Sequence, residues 1–487
     1  MKLQKLIVML MTAVTVITML SGLYYGGHFM QNKITYDIDT KYQTLEEGFG
    51  ASGCWWSPDV GGWNAVTEDG EDIREAIARL LYDKRTGLGM SVYRYNLGAA
   101  VTPDEGYYSH YWRTVESFLT EDASYDFTRD ASGRYMLDLA LKYGASEVVL
   151  FANSPPNSLT KNGKGHSSDG KCNLPRENYQ AYAKYFCDVA EHFIDSGVPV
   201  IALSPVNEPE WEWKGGQEGC HYEPNELVAF YEVFIKEMES RESLKSLKLS
   251  IYESGVVAGR IYEYLDALMG SEIIKPYLTH IDAHSYWATI HEKAAFKQYI
   301  EEKYPELKVS MTEWCQMQNG RDSGLNPAFS IAHVVMDDLV TLDATTWQYW
   351  LAVSCYHYED GLLYVSVEDK DNLQIPLRYY AYGQFTKHIE KGAVRIKSEL
   401  TLDEEEGYQI RQCSFQNPNG DIVTVYINNG EEVELFNMGL PRGYSNYNLY
   451  VTDAMGNNGQ SVKGGKGVDT ITIPKESIAT VVYSKSR

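Results

Sequence analysis

The sequence predicts an α/β fold, a (β/α)8 TIM barrel with a β-sandwich attached at its C-terminal end. Between about residues 48 and 385, short apolar runs alternate with longer stretches of helical periodicity, as in a barrel of parallel strands. After about residue 388, the runs become short and alternating, with turns such as Asn417-Pro418-Asn419-Gly420 between them, which is typical of a sandwich. The 487 residues, 44% of them hydrophobic, suffice for one large and one smaller domain.

Eight apolar runs supply the predicted barrel strands. They lie at 48–52, 91–97, 147–152, 200–204, 248–252, 280–283, 308–312 and 344–349. Helical patterns separate them, for example at 179–196 and 224–240. Because the C-terminal ends of barrel strands face the active site, polar residues at those ends are the candidates for chemistry. We expect the catalytic barrel at 46–388.

Short alternating runs supply the predicted sandwich strands, and we expect this domain at 389–487. The runs lie at 393–399, 408–416, 422–428, 433–436, 447–453, 468–473 and 478–483. Residues 34–44, which precede the first barrel strand, alternate in the same way. We therefore expect the segment 28–45 to add a strand to the sandwich.

The first 27 residues are typical of an export signal. A short basic region that contains Lys2 and Lys5 precedes an almost wholly apolar run at 6–23. The run is long for a signal and lacks a clean small-x-small cleavage site, so an uncleaved membrane anchor is the alternative. Either reading predicts a secreted or extracellular protein, with a possible membrane tether through its N-terminus.

Charge and cysteine content exclude several classes of partner. The formal net charge of -24 opposes binding to the phosphate backbone of a nucleic acid and to anionic membrane surfaces. The seven cysteines include no CxxC pair, which argues against a zinc site, and we expect no metal. Cys172 and Cys220 fall in loops on the same barrel face, so a disulfide between them and seven reduced thiols are both open readings. We expect a monomer.

Two glutamates stand where predicted strands end. Glu208 ends the fourth strand in the motif Ser204-Pro205-Val206-Asn207-Glu208-Pro209, and Glu313 ends the seventh in Ser310-Met311-Thr312-Glu313-Trp314. Two carboxylates at strand ends of one barrel are the machinery of glycoside hydrolysis. We expect Glu208 to protonate the leaving oxygen and Glu313 to attack the anomeric carbon.

Neighbouring polar residues fit this chemistry. Asn207 can hold the sugar 2-hydroxyl, Arg94 can supply positive charge to Glu313, and Tyr286 can donate to a glutamate oxygen. A structural salt bridge at Arg94 and a packed aromatic ring at Tyr286 are the alternatives. We expect His284 to be a hydrogen-bonded core histidine rather than a catalytic group.

Trp55 and Trp56 follow the first strand on the active face. We expect one of these rings to form a platform for sugar beside the cleaved bond and the other to pack against the barrel rim. Stacking on the C–H face of a sugar would then add affinity for the substrate.

The chain resembles glycoside hydrolase family 30. Six stretches carry the resemblance in order: Glu47-Gly48-Phe49-Gly50-Ala51-Ser52, Tyr93-Arg94-Tyr95-Asn96-Leu97-Gly98, Asn153-Ser154-Pro155-Pro156, Asn207-Glu208-Pro209, Thr312-Glu313-Trp314 and Trp347-Gln348-Tyr349-Trp350. The resemblance implies a barrel fused to a sandwich, retention of anomeric configuration and no cofactor. It implies Glu208 as the acid/base and Glu313 as the nucleophile. Asn207, Arg94, Tyr286 and Trp350 match positions around the subsite of cleavage.

The motifs also bear on the substrate. The glucosylceramidase branch of the family has a tryptophan where this chain has Pro156 after Ser154-Pro155. The Asn-Ser-Pro-Pro form, the Trp55-Trp56 pair and the stretch at 217–221 resemble the endo-β-1,6-galactanase branch, which acts on side chains of arabinogalactan. The loops at 102–110 and 161–171 match no branch.

Several alternatives therefore stay open. They are a xylanase or glucuronoxylanase, a β-1,6-glucanase, a glucosylceramidase-like β-glycosidase, and an exo activity of the fucosidase or xylosidase kind. A surface glycan-binding protein that has lost catalysis is the alternative of another class. Because such a protein usually lacks one of the two glutamates and this chain keeps both, the sequence favours an enzyme acting on a polysaccharide or oligosaccharide.

Overall fold

The computed structural model describes residues 32–102, 109–403 and 408–485. The predicted signal or anchor at 1–27 and most of the loop at 102–110 lie outside these ranges. Within them, no helix is both long and apolar enough to cross a membrane.

The eight predicted barrel strands are present and form one parallel sheet. They are Phe49–Ser52, Val92–Asn96, Glu147–Phe151, Val200–Ser204, the two pieces Lys248–Leu249 and Glu253–Ser254 of the fifth strand, His280–His284, Lys308–Glu313 and Trp347–Ser354. Each strand pairs with its neighbour in chain order, and Trp347 of the eighth pairs with Phe49 of the first. The barrel closes through the fifth strand, whose Lys248 pairs with the fourth and whose Glu253 pairs with the sixth.

Helices follow the strands. In the described part of the chain they are Ser57–Val60, Ile73–Tyr82, Ala131–Tyr143, Tyr179–Asp195, Pro224–Glu239, Ile261–Met269, Ile290–Lys303, Leu325–Thr341 and Leu377–Thr386, with short 3₁₀ turns at Tyr111–Arg113, Asn157–Leu159 and Arg176–Asn178. Local sequence fixes several starts. Thr289 and Glu292 form a capping box at the start of Ile290–Lys303, which satisfies backbone N–H groups that have no partner inside the helix.

The strands are buried along nearly their whole length, which explains why they were visible in the sequence as continuous apolar runs. Every residue of Val92–Asn96 and Glu147–Phe151 is buried, as expected for parallel strands covered on both faces. A charged side chain such as Arg94 in this environment requires partners, and it finds them at the C-terminal end of the barrel.

The sandwich domain contains nine strands in the described residues. They are Lys33–Thr44, Val394–Thr401, Ile410–Gln416, Ile422–Asn428, Val433–Met438, Tyr444–Asp453, Asn458–Lys466, Thr470–Ile473 and Ser477–Lys485. Lys33–Thr44 pairs antiparallel with Val394–Thr401 and parallel with Val433–Met438, so the N-terminal segment lies in the middle of this sheet.

Two additions to the sheets are not visible in the sequence pattern. Asn458–Lys466 is an almost fully exposed strand at the edge of its sheet, and it lacks the alternation that marks a half-buried strand. Gly361–Val365 extends the barrel sheet beside the last strand. The sandwich contacts helices on the outside of the barrel: Thr480 donates to the carbonyl of Gln384 at 2.7 Å, and Arg411 pairs with Asp337 at 2.5 Å.

Candidate active site

A cleft of about 300 Å³ opens at the C-terminal ends of the barrel strands. It is lined by Asn153, Asn207, Glu208, Trp211, Trp213, Gln217, Tyr286, Trp287, Glu313, Met317 and Trp350. Five of the eight site residues expected from the sequence are in this lining: Asn207, Glu208, Tyr286, Glu313 and Trp350. Arg94 lies directly beneath them and contacts Glu313.

Glu208 and Glu313 face each other across the cleft floor. One carboxylate oxygen of each, together with a ring nitrogen of His284, lie within 4.8 Å of one another. Both side chains are buried. The backbone of Glu208 has φ 44, a left-handed conformation that costs energy for a residue with a side chain. It is held there by hydrogen bonds from the Glu208 N–H to the carbonyl of Glu253 at 2.9 Å and from the Trp213 indole to the Glu208 carbonyl at 2.9 Å.

Glu313 accepts hydrogen bonds on both carboxylate oxygens. Arg94 Nη1 donates to one at 2.6 Å, and the Tyr286 hydroxyl donates to the other at 3.0 Å. Burial raises the pKa of Glu313, while the positive charges of His284 and Arg94 act in the opposite direction. The two donors therefore hold the orientation of the carboxylate and offset the cost of burying its charge.

Glu253 is a third buried carboxylate, which the sequence analysis did not identify. It accepts from Arg94 Nη2 at 2.8 Å, from the Thr312 hydroxyl at 2.9 Å and from Ser204. Burial opposes its ionisation, but the charge of Arg94 and the hydrogen bond of His284 outweigh burial and lower the pKa of Glu253 to about 2. In the sequence, Glu253 directly follows the fifth apolar run, and this position could have identified it as a candidate site residue.

His284 requires a correction. It is buried and hydrogen-bonded, as expected, but its partners are the site carboxylates rather than groups of the core. Nδ1 lies 2.7 Å from Glu208 and Nε2 lies 3.2 Å from Glu253, and Nδ1 is 3.6 Å from Glu313. Burial disfavours the imidazolium, yet the surrounding carboxylates outweigh it and raise the pKa of His284 to about 10. At neutral pH, the ring is therefore protonated and donates to Glu208 through Nδ1.

The expectation of a sugar platform at Trp55 and Trp56 is also corrected. The two side chains are only 2% and 1% exposed. Trp55 packs edge-on against Trp350 with ring centroids 6.0 Å apart, and the Trp56 indole donates to the carbonyl of Ser52 at 2.9 Å. The helix Ser57–Val60 begins at the next residue, and both rings belong to the hydrophobic core of the barrel.

The exposed aromatic rings of the cleft come from other loops. Trp211 follows the fourth strand and is 37% exposed, and Trp287 follows the sixth and is 67% exposed. Their ring centroids are 6.2 Å apart and their planes are nearly perpendicular, at 88°. In the sequence, Trp211 lies three residues after Glu208 and Trp287 directly follows Tyr286. This proximity to site residues could have identified both tryptophans.

The chain was compared with known protein families. Residues 31–364 match the model of O-glycosyl hydrolase family 30, and residues 392–481 match the model of the family 30 β-sandwich domain. The chain belongs to glycoside hydrolase family 30. The resemblance expected from the motifs is thus confirmed. The protein is a glycosidase, and the alternative of a glycan-binding protein without catalysis loses its support because both glutamates are in place.

Relatives of this family 30 glycosidase include enzymes with different substrates. It is 24% identical over 389 residues to an endo-β-1,6-galactanase of Hypocrea rufa, with 74% of this chain and 75% of the relative covered. It is 23% identical over 363 residues to a glucuronoxylanase of Bacillus subtilis, covering 71% and 75%. A conserved exported protein from Bacteroides fragilis has the same fold, with a TM-score of 0.80, 21% identity and coverage of 92% and 100%.

The family 30 site also contains the one group of metal-ligating side chains found among the described residues, namely Glu208, His284 and Glu313. Two positive groups of the protein, Arg94 and His284, already contact its carboxylates and the neighbouring Glu253. Arg94 contacts Glu313 at 2.6 Å, and His284 provides a second positive charge. This donor set therefore fits a carboxylate pair stabilised by two cations of the protein better than a metal centre.

Proposed function

We propose that the protein is a retaining glycoside hydrolase that cleaves β-linked polysaccharide, as an endo-β-1,6-galactanase acting on arabinogalactan side chains. The observation that supports retention is the separation of less than 4.8 Å between oxygens of Glu208 and Glu313. Retaining enzymes have carboxyl groups about 5–5.5 Å apart, whereas inverting enzymes leave about 6.5–9.5 Å for a water molecule between them.

Glu313 and Glu208 divide the first half-reaction. Glu313 attacks the anomeric carbon and forms a glycosyl ester while Glu208 gives a proton to the leaving oxygen, so that the glycosidic bond breaks with its electrons on that oxygen. Arg94 and Tyr286 fix the attacking carboxylate. His284, whose Nδ1 lies 2.7 Å from Glu208, fixes the orientation of the acid.

Water completes the reaction from the side that the leaving group has vacated. Glu208 now accepts a proton from the water molecule, which attacks the anomeric carbon and releases Glu313. Two displacements return the sugar to its original configuration. Asn207, which accepts from Arg94 Nη2 at 3.0 Å and donates to Asn153 at 3.2 Å, is fixed in position to bind the 2-hydroxyl of the sugar.

The choice of a neutral galactan rests on the motifs, on the Hypocrea rufa relative and on the charge of the cleft. Among the described residues, those lining the cleft include no lysine or arginine. A glucuronate substituent carries a carboxylate, which proteins usually bind with such cations. This observation favours a neutral substrate over glucuronoxylan, the substrate named for the Bacillus subtilis relative.

A polysaccharide panel tests the proposal. It should contain arabinogalactan, de-arabinosylated galactan, β-1,6-glucan and glucuronoxylan, with products separated by chromatography and Glu313→Gln as the inactive control. We expect oligosaccharides of β-1,6-linked galactose, and proton NMR of the first product should show the β-anomer. Products from glucan or glucuronoxylan alone would refute the substrate, and an initial α-anomer would refute retention.

We also propose that the enzyme acts outside the cytoplasm as a monomer. The basic and apolar composition of residues 1–27 supports export. N-terminal sequencing of protein recovered from the medium and from the cell envelope distinguishes a cleaved signal from an anchor, and light scattering after gel filtration gives the mass in solution. Full-length protein retained in the cytoplasm would contradict export.

A further inference from the structure

Two tryptophans at the cleft differ from the other eight of the chain. Trp211 and Trp287 are 37% and 67% exposed, whereas Trp213 is half-buried and the remaining seven are buried. Exposure of large aromatic rings side by side leaves apolar surface in water, and such surface in a cleft usually marks a binding site. The two indoles are nearly perpendicular, so together they present two walls of a corner rather than one flat face.

The conformation of the loops holds these rings in place. Trp287 has φ 54 and Trp213 has φ 41, a left-handed backbone that is unusual for residues with bulky side chains. Such conformations persist where surrounding contacts impose them, and they are common at binding sites. The carbonyl of Trp213 accepts from Ser167 at 2.9 Å, which ties the loop that carries Trp211 to the loop after the third strand.

Gly255 shows on which side of the cleaved bond the corner lies. A Cβ atom added there would stand 2.2 Å from Trp211 Nε1 and 2.9 Å from Glu208 Oε1, so the indole edge and the acid carboxylate meet over this glycine. Trp350, by contrast, lies on the Glu313 side. Its backbone N–H donates to the carbonyl of Trp314, the residue after Glu313, at 2.9 Å, and its ring lies 5.7 Å from the guanidinium of Arg94.

We propose that Trp211 and Trp287 form the binding site for the leaving-group sugar, next to Glu208. This proposal rests on the proposed function, because it takes Glu208 as the group that protonates the leaving oxygen. The corner receives the C–H faces of a neutral sugar ring, and the half-buried Gln217 in the same lining supplies an amide for its hydroxyls. The enzyme therefore selects substrates whose leaving group is itself a sugar, as internal cleavage of a chain requires.

The test compares two leaving groups on the same donor sugars. One substrate is an oligosaccharide of β-1,6-linked galactose long enough to extend to both sides of the cleaved bond, and the other is an aryl glycoside of the same donor sugars, in which a phenol of low pKa replaces the sugar on the Glu208 side. Trp211→Ala and Trp287→Ala should each lower kcat/KM on the oligosaccharide by roughly fivefold to tenfold. The loss on the aryl glycoside should be smaller, because the phenol replaces the sugar that the two rings bind, and Trp211→Phe should retain most of the activity.

Two further measurements complete the design. Tyr135→Ala removes an exposed aromatic ring from the helix Ala131–Tyr143 and should leave both substrates unaffected. With the aryl glycoside as donor and a free sugar as acceptor, the wild type should transfer the glycosyl group to the acceptor, and the tryptophan variants should transfer less and hydrolyse more.

Equal losses on both substrates at an unchanged melting temperature, or no loss on either, would overturn the leaving-group site. A wild type that cleaves neither substrate, or a Glu313→Gln variant as active as the wild type, would instead refute the proposed function on which the site rests. The two failures are therefore distinguishable.

Discussion

Glu313 is the residue whose removal gives the sharpest chemical signature. Glu313→Ala should reduce turnover by at least roughly a thousandfold, because the group that forms the covalent intermediate is lost. Azide or formate can enter the vacated space and attack from the same side, so either anion should restore part of the activity. The azide product should have inverted anomeric configuration by NMR. Near-normal activity without a rescuing anion would contradict the assignment.

Glu208→Ala should behave differently because it removes a proton donor rather than a nucleophile. Aryl glycosides with low-pKa phenols need little protonation, so they should show a burst of phenol followed by slow turnover as the glycosyl-enzyme accumulates. Azide should then intercept that intermediate and give a product of retained configuration, opposite to the Glu313→Ala product. Equal losses on good and poor leaving groups would count against Glu208 as the acid.

Glu218 is a buried carboxyl group that makes the stability of the folded protein depend on pH. It is buried and accepts from the N–H groups of Ala99 at 3.2 Å and Val115 at 3.4 Å, and burial raises its pKa from 4.5 to about 8. The folded protein therefore keeps a proton that the unfolded chain releases above its ordinary pKa. This contribution to stability is complete below about pH 4.5 and is lost as pH rises towards 8, at about 1.4 kcal/mol per pH unit within that window.

Glu218→Gln should remove this dependence, because the neutral amide keeps an acceptor oxygen and does not titrate. The melting temperature of the variant relative to wild type should rise steadily between pH 5 and pH 8.5. Glu212→Gln, at an exposed position six residues earlier, is the control and should show no such trend. A constant difference across the pH range would mean that Glu218 is ionised in the folded protein.

The sequence revealed those site residues that follow apolar strand runs, because a barrel brings strand ends together whatever the loops do. Glu208, Glu313 and Asn207 are of this kind, whereas Arg94 lies within the second run. Trp211 and Trp287 could not be oriented from sequence, since left-handed backbone in their loops depends on contacts with other loops. One of Trp55 and Trp56 was expected to pack inward and the other to be exposed; the burial of both rings was missed because a position after a strand does not determine where a side chain points.

At the scale of elements, two loops of the active face each contain a buried, free cysteine, Cys172 and Cys220. Cys172 donates to the carbonyl of Leu174 at 3.3 Å and Cys220 to the carbonyl of His221 at 3.8 Å, and the neighbouring Cys220 raises the pKa of the Cys172 thiol. Gly219 N–H also donates to the carbonyl of Gly165 at 2.9 Å, so the loops are in contact along their length. Exchange with oxidised glutathione would join the two sulfurs and pass both thiol protons and two electrons to the oxidant, which leaves as two thiols.

We expect this oxidation to stabilise the protein by up to about 4 kcal/mol, the chain-entropy value for a loop of this length. Differential scanning calorimetry with and without dithiothreitol should show a higher melting temperature for the oxidised wild type and none of this change for Cys220→Ser. Cys355→Ser, at a half-buried cysteine elsewhere, should respond like the wild type. The absence of a cross-linked peptide in non-reducing mass spectrometry would contradict the prediction.

Elements were predictable from the sequence in proportion to their burial. The eight barrel strands were identified within a few residues because each is a run of buried side chains. Asn458–Lys466 was missed because its exposed, glycine-rich sequence forms a strand only by pairing with Tyr444–Asp453. The fifth barrel strand was predicted as one piece, and its division before Glu253 places that carboxylate between Arg94 and His284.

At the scale of the whole molecule, the segment before the barrel and the segment after it form one sheet. Lys33–Thr44 lies between Val394–Thr401 and Val433–Met438, and its Ile34 and Tyr36 are buried in the sandwich core. The Tyr36 hydroxyl is hydrogen-bonded to Thr424 at 3.1 Å. In the sequence, the barrel is thus inserted between the first strand of the sandwich sheet and the other eight described strands of that sheet. The segment before the barrel is therefore expected to be essential for the fold of the C-terminal domain.

Deletion of residues 1–45 should therefore destabilise the protein far more than deletion of residues 1–31. The longer deletion exposes two unpaired strand edges and removes three buried side chains, Ile34, Tyr36 and Leu45, each worth about 1.5–3 kcal/mol. We expect it to lower the melting temperature of the sandwich and to cause aggregation, while the shorter deletion keeps the stability of the full-length protein. Tyr36→Ala in the shorter form should show part of the loss without changing chain length. Equal melting temperatures for the two deletions would mean that the sandwich sheet is complete without its first strand.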